Sequence, residues 1–166
     1  MTKAEELKTV MLAEPRWTLA VAESLTAGNL QARIASASGA SNYFLGGITA
    51  YSLEQKVRQL GVERAQAEAV NCVSANVAEQ MARGVCRMFR ADVGAATTGY
   101  AEPAPQLGVS VPFAWWAVAV RKAKDAEFAV RSGRVEIAGA NREEVQRRVA
   151  DAVIEEIARA VAEARK

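Results

Sequence analysis

Four short stretches of the 166-residue chain carry side chains able to do chemistry. The first is Val21-Ala22-Glu23-Ser24-Leu25-Thr26-Ala27-Gly28. A strand running into a helix through Ser, Thr and Gly sets hydroxyls and free backbone N–H groups at a helix N-terminus, which suits an anion or a developing oxyanion. On pattern alone the simpler account is favoured, that Ser24 or Thr26 caps the helix. The second is Tyr51-Ser52-Leu53-Glu54-Gln55-Lys56, at a strand end and the helix after it. Lys56 lies one turn past the cap and can reach back toward the sheet edge where ligands of α/β folds bind; taken alone, such a lysine is more often a solvated helix residue. The third, Thr97-Thr98-Gly99-Tyr100, is another strand end able to point a hydroxyl into the same crevice, or simply a turn. The fourth is Asn141-Arg142, whose guanidinium suits a phosphate or carboxylate, or is a surface charge.

These residues need a scaffold, and the hydrophobic pattern supplies one. Ala4 to Leu12 has helical spacing and stops at Glu14-Pro15. Thr18 to Val21 reads as a buried strand, Thr26 to Ser36 as a helix, and Phe44 to Tyr51 as a second strand. Ser52 with Gln55 forms a capping box, and the helix it opens ends at Gly61. Ser74 caps a longer helix reaching about Arg90, with Val77, Met81, Val85 and Met88 on its apolar face. Val93 to Thr97 is a third strand, broken by Gly99. After a proline-punctuated loop, Phe113 to Val120 and Glu127 to Ile137 read as an antiparallel pair joined at Lys122 to Asp125. Asn141 with Glu144 opens a final helix whose core stripe is Val145, Val149, Val153 and Ile157. Of Trp115-Trp116, one ring is expected in the core, since neighbours in a strand face opposite sides. Arg131-Ser132-Gly133-Arg134 reads as a strand irregularity. The expected fold class is α/β, a three-layer α/β/α sandwich with a mixed sheet that includes a C-terminal antiparallel strand pair.

Composition removes several function classes. The chain contains no histidine, so a Ser-His-Asp triad, a Cys-His dyad and any His-ligated zinc site are excluded. Hydrolysis would need lysine, tyrosine or a carboxylate as base. Lys plus Arg number 21 against 19 Asp plus Glu, interspersed, which offers no basic stripe to a phosphate backbone, so no nucleic-acid partner is expected. No apolar run approaches a membrane span, and the mixed charges of Met1 to Leu7 do not form a signal peptide. A cytoplasmic location is therefore expected. Cys72 and Cys86, without a CxxC pair, read as two reduced, half-buried thiols.

In order along the chain, these stretches resemble the CinA C-terminal domain family, whose active members are nicotinamide mononucleotide deamidases. Ala22-Glu23-Ser24-Leu25-Thr26-Ala27-Gly28 is similar to the family's A-E-S-C-T-G-G. Gly39-Ala40-Ser41-Asn42-Tyr43-Phe44 resembles G-S-S-x-x-F, and Ala50-Tyr51-Ser52 with Lys56 resembles Y-S-N-x-x-K. Val73-Ser74 falls at A-V-S, Thr98-Gly99 at the start of T-G-I-A-G-P, and Asn141 to Val145 at G-D-R-x-x-[VI]. The resemblance runs from Thr18 to the last helix and implies a stand-alone domain over residues 1–166, unlike members that also carry an N-terminal pyrophosphatase domain. It implies an amidohydrolase that needs neither metal nor cofactor. Ser24 would be the nucleophile and Lys56 its base, with Tyr51 in support, and a small-molecule amide would be held by Glu23, Thr26, Gly28, Ser41, Thr98, Gly99 and Arg142. The lysine must lose its proton below about 10.4, through burial or a nearby Arg142. A homo-oligomer is also expected.

The departures from the family concern the substrate wall. Leu25 replaces the motif cysteine and Ala27 its first glycine, Glu102 stands in the formerly glycine-rich loop, and Trp115 takes a small polar position. The resemblance brings Ala27, Glu102 and Trp115 to one crevice, adding bulk, negative charge and an aromatic face, so that nicotinamide mononucleotide is expected to fit poorly. The same three residues favour the alternative of a catalytically inactive paralogue that binds a small ligand or a protein; the joint presence of Ser24, Tyr51, Lys56, Thr98 and Arg142 favours the enzyme.

Overall fold

The computed structural model describes residues 1–121, 123 and 127–166. Helix α1 (Lys3–Leu12) opens where Thr2 and Glu5 exchange side-chain-to-backbone hydrogen bonds, and β1 (Leu19–Glu23) follows. Helix α2 (Asn29–Ala35), a 3-10 turn at Ala40–Asn42 and β2 (Phe44–Thr49) come next. Helices α3 (Leu53–Leu60), α4 (Arg64–Ala69) and α5 (Ala75–Phe89) lead to β3 (Val93–Tyr100). The chain ends with β4 (Phe113–Arg121), β5 (Phe128–Glu136) and α6 (Arg142–Ala164).

The strands form one sheet ordered β2-β1-β3-β4-β5, in which β1 is parallel to both neighbours and the pairs β3–β4 and β4–β5 are antiparallel. Alternation along the strands divides the core in two. Leu19, Val21, Val93, Ala95, Trp116 and Val118 face α1, α2 and α6, with Val145, Val149, Val153 and Ile157 of α6 all buried against them. Ala20, Ala22, Ala96, Ala117 and Ala119 face the other way, toward Val77, Met81 and Val85 of α5. This is the expected α/β/α sandwich with its C-terminal antiparallel pair. The connection expected at 122–125 lies, apart from position 123, outside the described residues.

Several local expectations change. Gly99 does not break β3. It pairs with Ala114 inside the ladder, where a Cβ would stand 2.2 Å from the Phe113 carbonyl oxygen, so glycine is what lets β4 approach. Arg131 to Arg134 is regular strand, and Gly133 lies opposite Trp116, whose ring occupies the space a Cβ would need. Helix α2 starts at Asn29, three residues later than expected, because the chain first makes a tight left-handed reversal. Helix α4 is an addition to the expected elements; with its six residues it is too short to show a period. Met88 is exposed beside Leu60 and Gly61, where α3 has ended. Ser52 caps α3 through the Gln55 amide, but the Gln55 side chain accepts from Gln59 rather than completing the box.

Candidate active site

Because β1 continues into α2 on one face of the sheet, and β2 connects back to β3 through α3, α4 and α5 on the other, a crevice opens at the carboxyl ends of β1 and β3. It measures about 390 Å³ and is lined, among others, by Ser24, Leu25, Tyr51, Lys56, Thr98, Gly99, Glu102 and Arg142.

The reversal that presents Ser24 is held from both sides. Glu23 is fully buried and turned away from the crevice. Its Oε1 accepts from the Leu30 amide at 2.8 Å and its Oε2 from the Gln31 amide at 3.0 Å. The first free amides of α2 are thus satisfied by a carboxylate at the helix end where negative charge is favoured. This corrects two expectations at once: neither Ser24 nor Thr26 caps α2, whose cap position is Gly28 without a side-chain bond, and these helix amides are not free for a ligand. Between them the backbone passes through left-handed geometry at Ala27 (φ 48°) and Gly28 (φ 95°). On the other side, Thr97 of β3 pins the turn. Its hydroxyl shares a 2.8 Å hydrogen bond with the Thr26 hydroxyl and accepts from the Ser24 amide at 3.4 Å. Glu23, Thr26 and Gly28 therefore position Ser24 and do not line the crevice. The Leu25 amide donates to no acceptor among the described residues.

Lys56 arrives from α3, four residues past the Ser52 cap, and is 1% exposed. Its Nζ donates to the carbonyl oxygens of Ala50 at 2.9 Å and Tyr51 at 3.0 Å, and lies 2.9 Å from Ser24 Oγ. Burial lowers its pKa below the ordinary 10.5, and the Cys72 sulfur nearby, which favours the charged form, offsets only part of this. Among the described residues no carboxylate pairs with it. Two carbonyls occupy two N–H groups, and the remaining tetrahedral position faces the serine. On a neutral amine that position is a lone pair able to accept the Ser24 proton. Arg142 plays no part in lowering the lysine; its Nη2 donates to the Tyr51 hydroxyl at 2.6 Å and its Nη1 to Glu102 Oε1 at 2.8 Å.

Thr98 donates its hydroxyl to the Cys72 carbonyl at 2.6 Å and so fixes the Asn71-Cys72 wall, which has left-handed backbone at both residues. Asn71 and Cys72 line the crevice although no sequence motif assigns them a role; the signal for them is an asparagine just past a short helix, where left-handed geometry is tolerated. Cys86, by contrast, is buried against β4, which pushes its thiol up to about 12. Ser41 sits beyond the other end of β2, in the turn before Phe44, and does not reach the crevice. Of the three residues expected to rebuild the wall, only Glu102 lines it. Trp115 pairs with Thr98 but packs with the α5 layer, and Ala27 is occupied with the reversal. Trp116 is the buried ring. Among the described residues no group of three or more Asp, Glu or Cys side chains is placed to hold a metal ion, and no helix is long and apolar enough to cross a membrane.

Fold and site define a three-layer α/β protein with a serine–lysine pair at the carboxyl ends of its parallel strands. The chain belongs to the CinA family: the family model of the CinA C-terminal domain matches residues 1–161. A CinA-like protein of Chlorobium limicola is 40% identical over 147 residues, which are 88% of this chain and 34% of that protein. A CinA-like protein of Picosynechococcus sp. is 51% identical over 86 residues, 52% of this chain and 20% of its own length. The chain thus spans about a third or less of the curated relatives it matches. In fold it is similar to the competence-damaged protein (CinA) superfamily protein from Enterobacter cloacae, with a TM-score of 0.85 and 23% identity over 97% of this chain and 93% of that one. The competence damage-inducible protein A from Klebsiella pneumoniae gives 0.83 and 23%, covering 98% of both.

Proposed function

We propose that this chain is a metal-free amidohydrolase of the nicotinamide mononucleotide deamidase kind, which releases ammonia from a primary carboxamide and leaves the carboxylate. The observation that carries the proposal is Lys56: a buried amine with no carboxylate partner among the described residues, two carbonyl acceptors, and Ser24 Oγ 2.9 Å away. A lysine present only for stability would gain nothing from such a place, since a buried unpaired ammonium is costly.

In the proposed reaction, neutral Nζ takes the Ser24 proton as Oγ bonds to the carboxamide carbon and the carbonyl electron pair moves onto oxygen. The Leu25 amide, directly after the nucleophile, is the donor available to that oxyanion. Collapse restores the carbonyl and breaks the C–N bond, and the proton on Nζ passes to nitrogen, which leaves as ammonia. Water then gives a proton to Nζ and adds to the acyl carbon. A second collapse releases the carboxylic acid, which gives its proton to water or ammonia and becomes the carboxylate, while the proton on Nζ returns to Ser24. Thr98, Gly99, Tyr51 and Arg142 form the walls that hold the substrate.

The test is ammonia release from nicotinamide mononucleotide and related pyridine carboxamides, with and without a chelator. Expected is one carboxylate per ammonia, unchanged by the chelator. If no amide yields ammonia while one of them binds, the chain is a ligand-binding module and the proposal fails.

A further inference from the structure

Of Lys, Arg, Asp and Glu, the side chains that line the crevice, among the described residues, are Lys56 at its floor and Arg142 and Glu102 at its mouth. Arg142 opens α6; Glu102 stands in the loop after β3, followed by Pro103 and by the small antiparallel bridge between Ala104 and Val109. The Arg142 guanidinium is committed twice, to Glu102 Oε1 at 2.8 Å and to the Tyr51 hydroxyl at 2.6 Å. An anionic ligand at the mouth therefore meets an arginine already neutralised from within the chain. It also meets Glu102 Oε2, which has no partner among the described residues. The remaining polar lining near the mouth is uncharged: Asn71, whose amide donates to the Tyr100 hydroxyl at 3.2 Å, and Gln106.

We infer that Glu102 makes this crevice select against phosphate, so that its substrate is a primary carboxamide carrying an uncharged, hydroxyl-bearing group, a nucleoside rather than a nucleotide. The inference rests on the amidohydrolase reading above. A phosphate monoester brings about −1.5 to −2 charges at neutral pH, which the Glu102 carboxylate repels and whose attraction to Arg142 is offset by the Glu102 charge already paired with it. Sugar hydroxyls meet the opposite situation. A carboxylate with one free oxygen accepts their protons, as an acidic side chain does for a ribose hydroxyl in dinucleotide-binding folds. The Tyr51 and Tyr100 side chains and the neutral amides complete a wall suited to a polar, uncharged group.

The experiment compares nicotinamide riboside with nicotinamide mononucleotide, the same amide without and with its 5′-phosphate, at low ionic strength where the charge effect is least screened. For the unaltered protein, kcat/KM for ammonia release should be at least about tenfold higher with the riboside, a difference of about 1.4 kcal/mol. In Glu102→Gln the ratio of nucleotide to riboside kcat/KM should rise at least about tenfold, through KM. A nucleotide preference in the unaltered protein, or a ratio unmoved by Glu102→Gln, overturns the inference. If neither these compounds nor the other pyridine carboxamides release ammonia, the amidohydrolase reading fails separately, and calorimetry with ribose 5-phosphate decides the charge question. Tightening of at least about tenfold in Glu102→Gln upholds the selection against phosphate, and equal affinity in the two proteins overturns it.

Discussion

At the inner end of the crevice Ser24 and Lys56 are buried, and each is held by groups from at least two elements, whereas at the mouth Arg142 and Glu102 are half-exposed and answer chiefly to each other. The energetics of the two ends differ accordingly. Moving a buried amine off its carbonyls leaves unsatisfied groups and costs several times the hydrogen-bond energy gained in water. An exposed ion pair is worth about 0–1 kcal/mol and can be exchanged for a ligand or for another residue at little cost. On the proposed reading, the inner end holds the chemistry and the mouth decides what receives it.

The largest expected effects lie at the inner end. Ser24→Ala should lower kcat by at least about 10³-fold while moving Tm by only a few degrees, since one hydroxyl contributes about 1 kcal/mol. Lys56→Arg should be comparably inactive, because guanidinium stays protonated at any working pH. In the unaltered protein, the proposed activity should rise with pH along one ionisation below 10.5, in line with the lowered Lys56 value. The sign of the stability effect follows from the same shift. The unfolded chain binds the Lys56 proton more tightly than the folded one, so this group's contribution to stability increases as pH rises from the folded value to about 10.5 and is lost as pH falls. Denaturant midpoints across that window should rise less with pH in Lys56→Met; equal slopes would show that the amine is not desolvated.

A middle-sized effect tests whether Glu23 positions or binds. Glu23→Gln keeps the shape but turns an amide N–H toward one of the two α2 amides, so stability should fall by about 1–3 kcal/mol, or roughly 2–10 °C in Tm. An unchanged Tm with a raised KM would return Glu23 to the substrate. The smallest effect is expected at Ala27. Its left-handed backbone costs about 1 kcal/mol more than glycine's, so Ala27→Gly should raise Tm by roughly 2–4 °C and leave KM alone. A changed KM would mean that its Cβ does meet the ligand.

The element order, the two-sided burial of β1 and the apolar stripe of α6 follow from local periodicity, so they are legible in the sequence. The serine and the lysine stand out only through the family resemblance, since by pattern alone Ser24 reads as a helix cap and Lys56 as a solvated residue. What stays hidden there are the choices that need a partner. Adjacent in sequence, Thr97 and Thr98 face opposite sides of β3, one to the Ser24 turn and one to Cys72, and only the sheet's pairing says which is which. Trp115 shares a face with its partner Thr98, and its packing with the α5 layer keeps it out of the crevice. Glu23 reads as a ligand group until α2 is placed over it.

By itself the sequence determined the strand and helix faces and the absence of histidine chemistry, because each is local or compositional, while the pairing of Ser24 with Lys56 stood there only as what the family resemblance implies. Only the tertiary structure decided that Lys56 is desolvated, that Glu23 and Thr97 lock the turn that presents Ser24, and that Glu102 already occupies Arg142. The physical reason is that desolvation and charge pairing depend on what the rest of the chain brings within a few ångströms, which no window along the sequence contains.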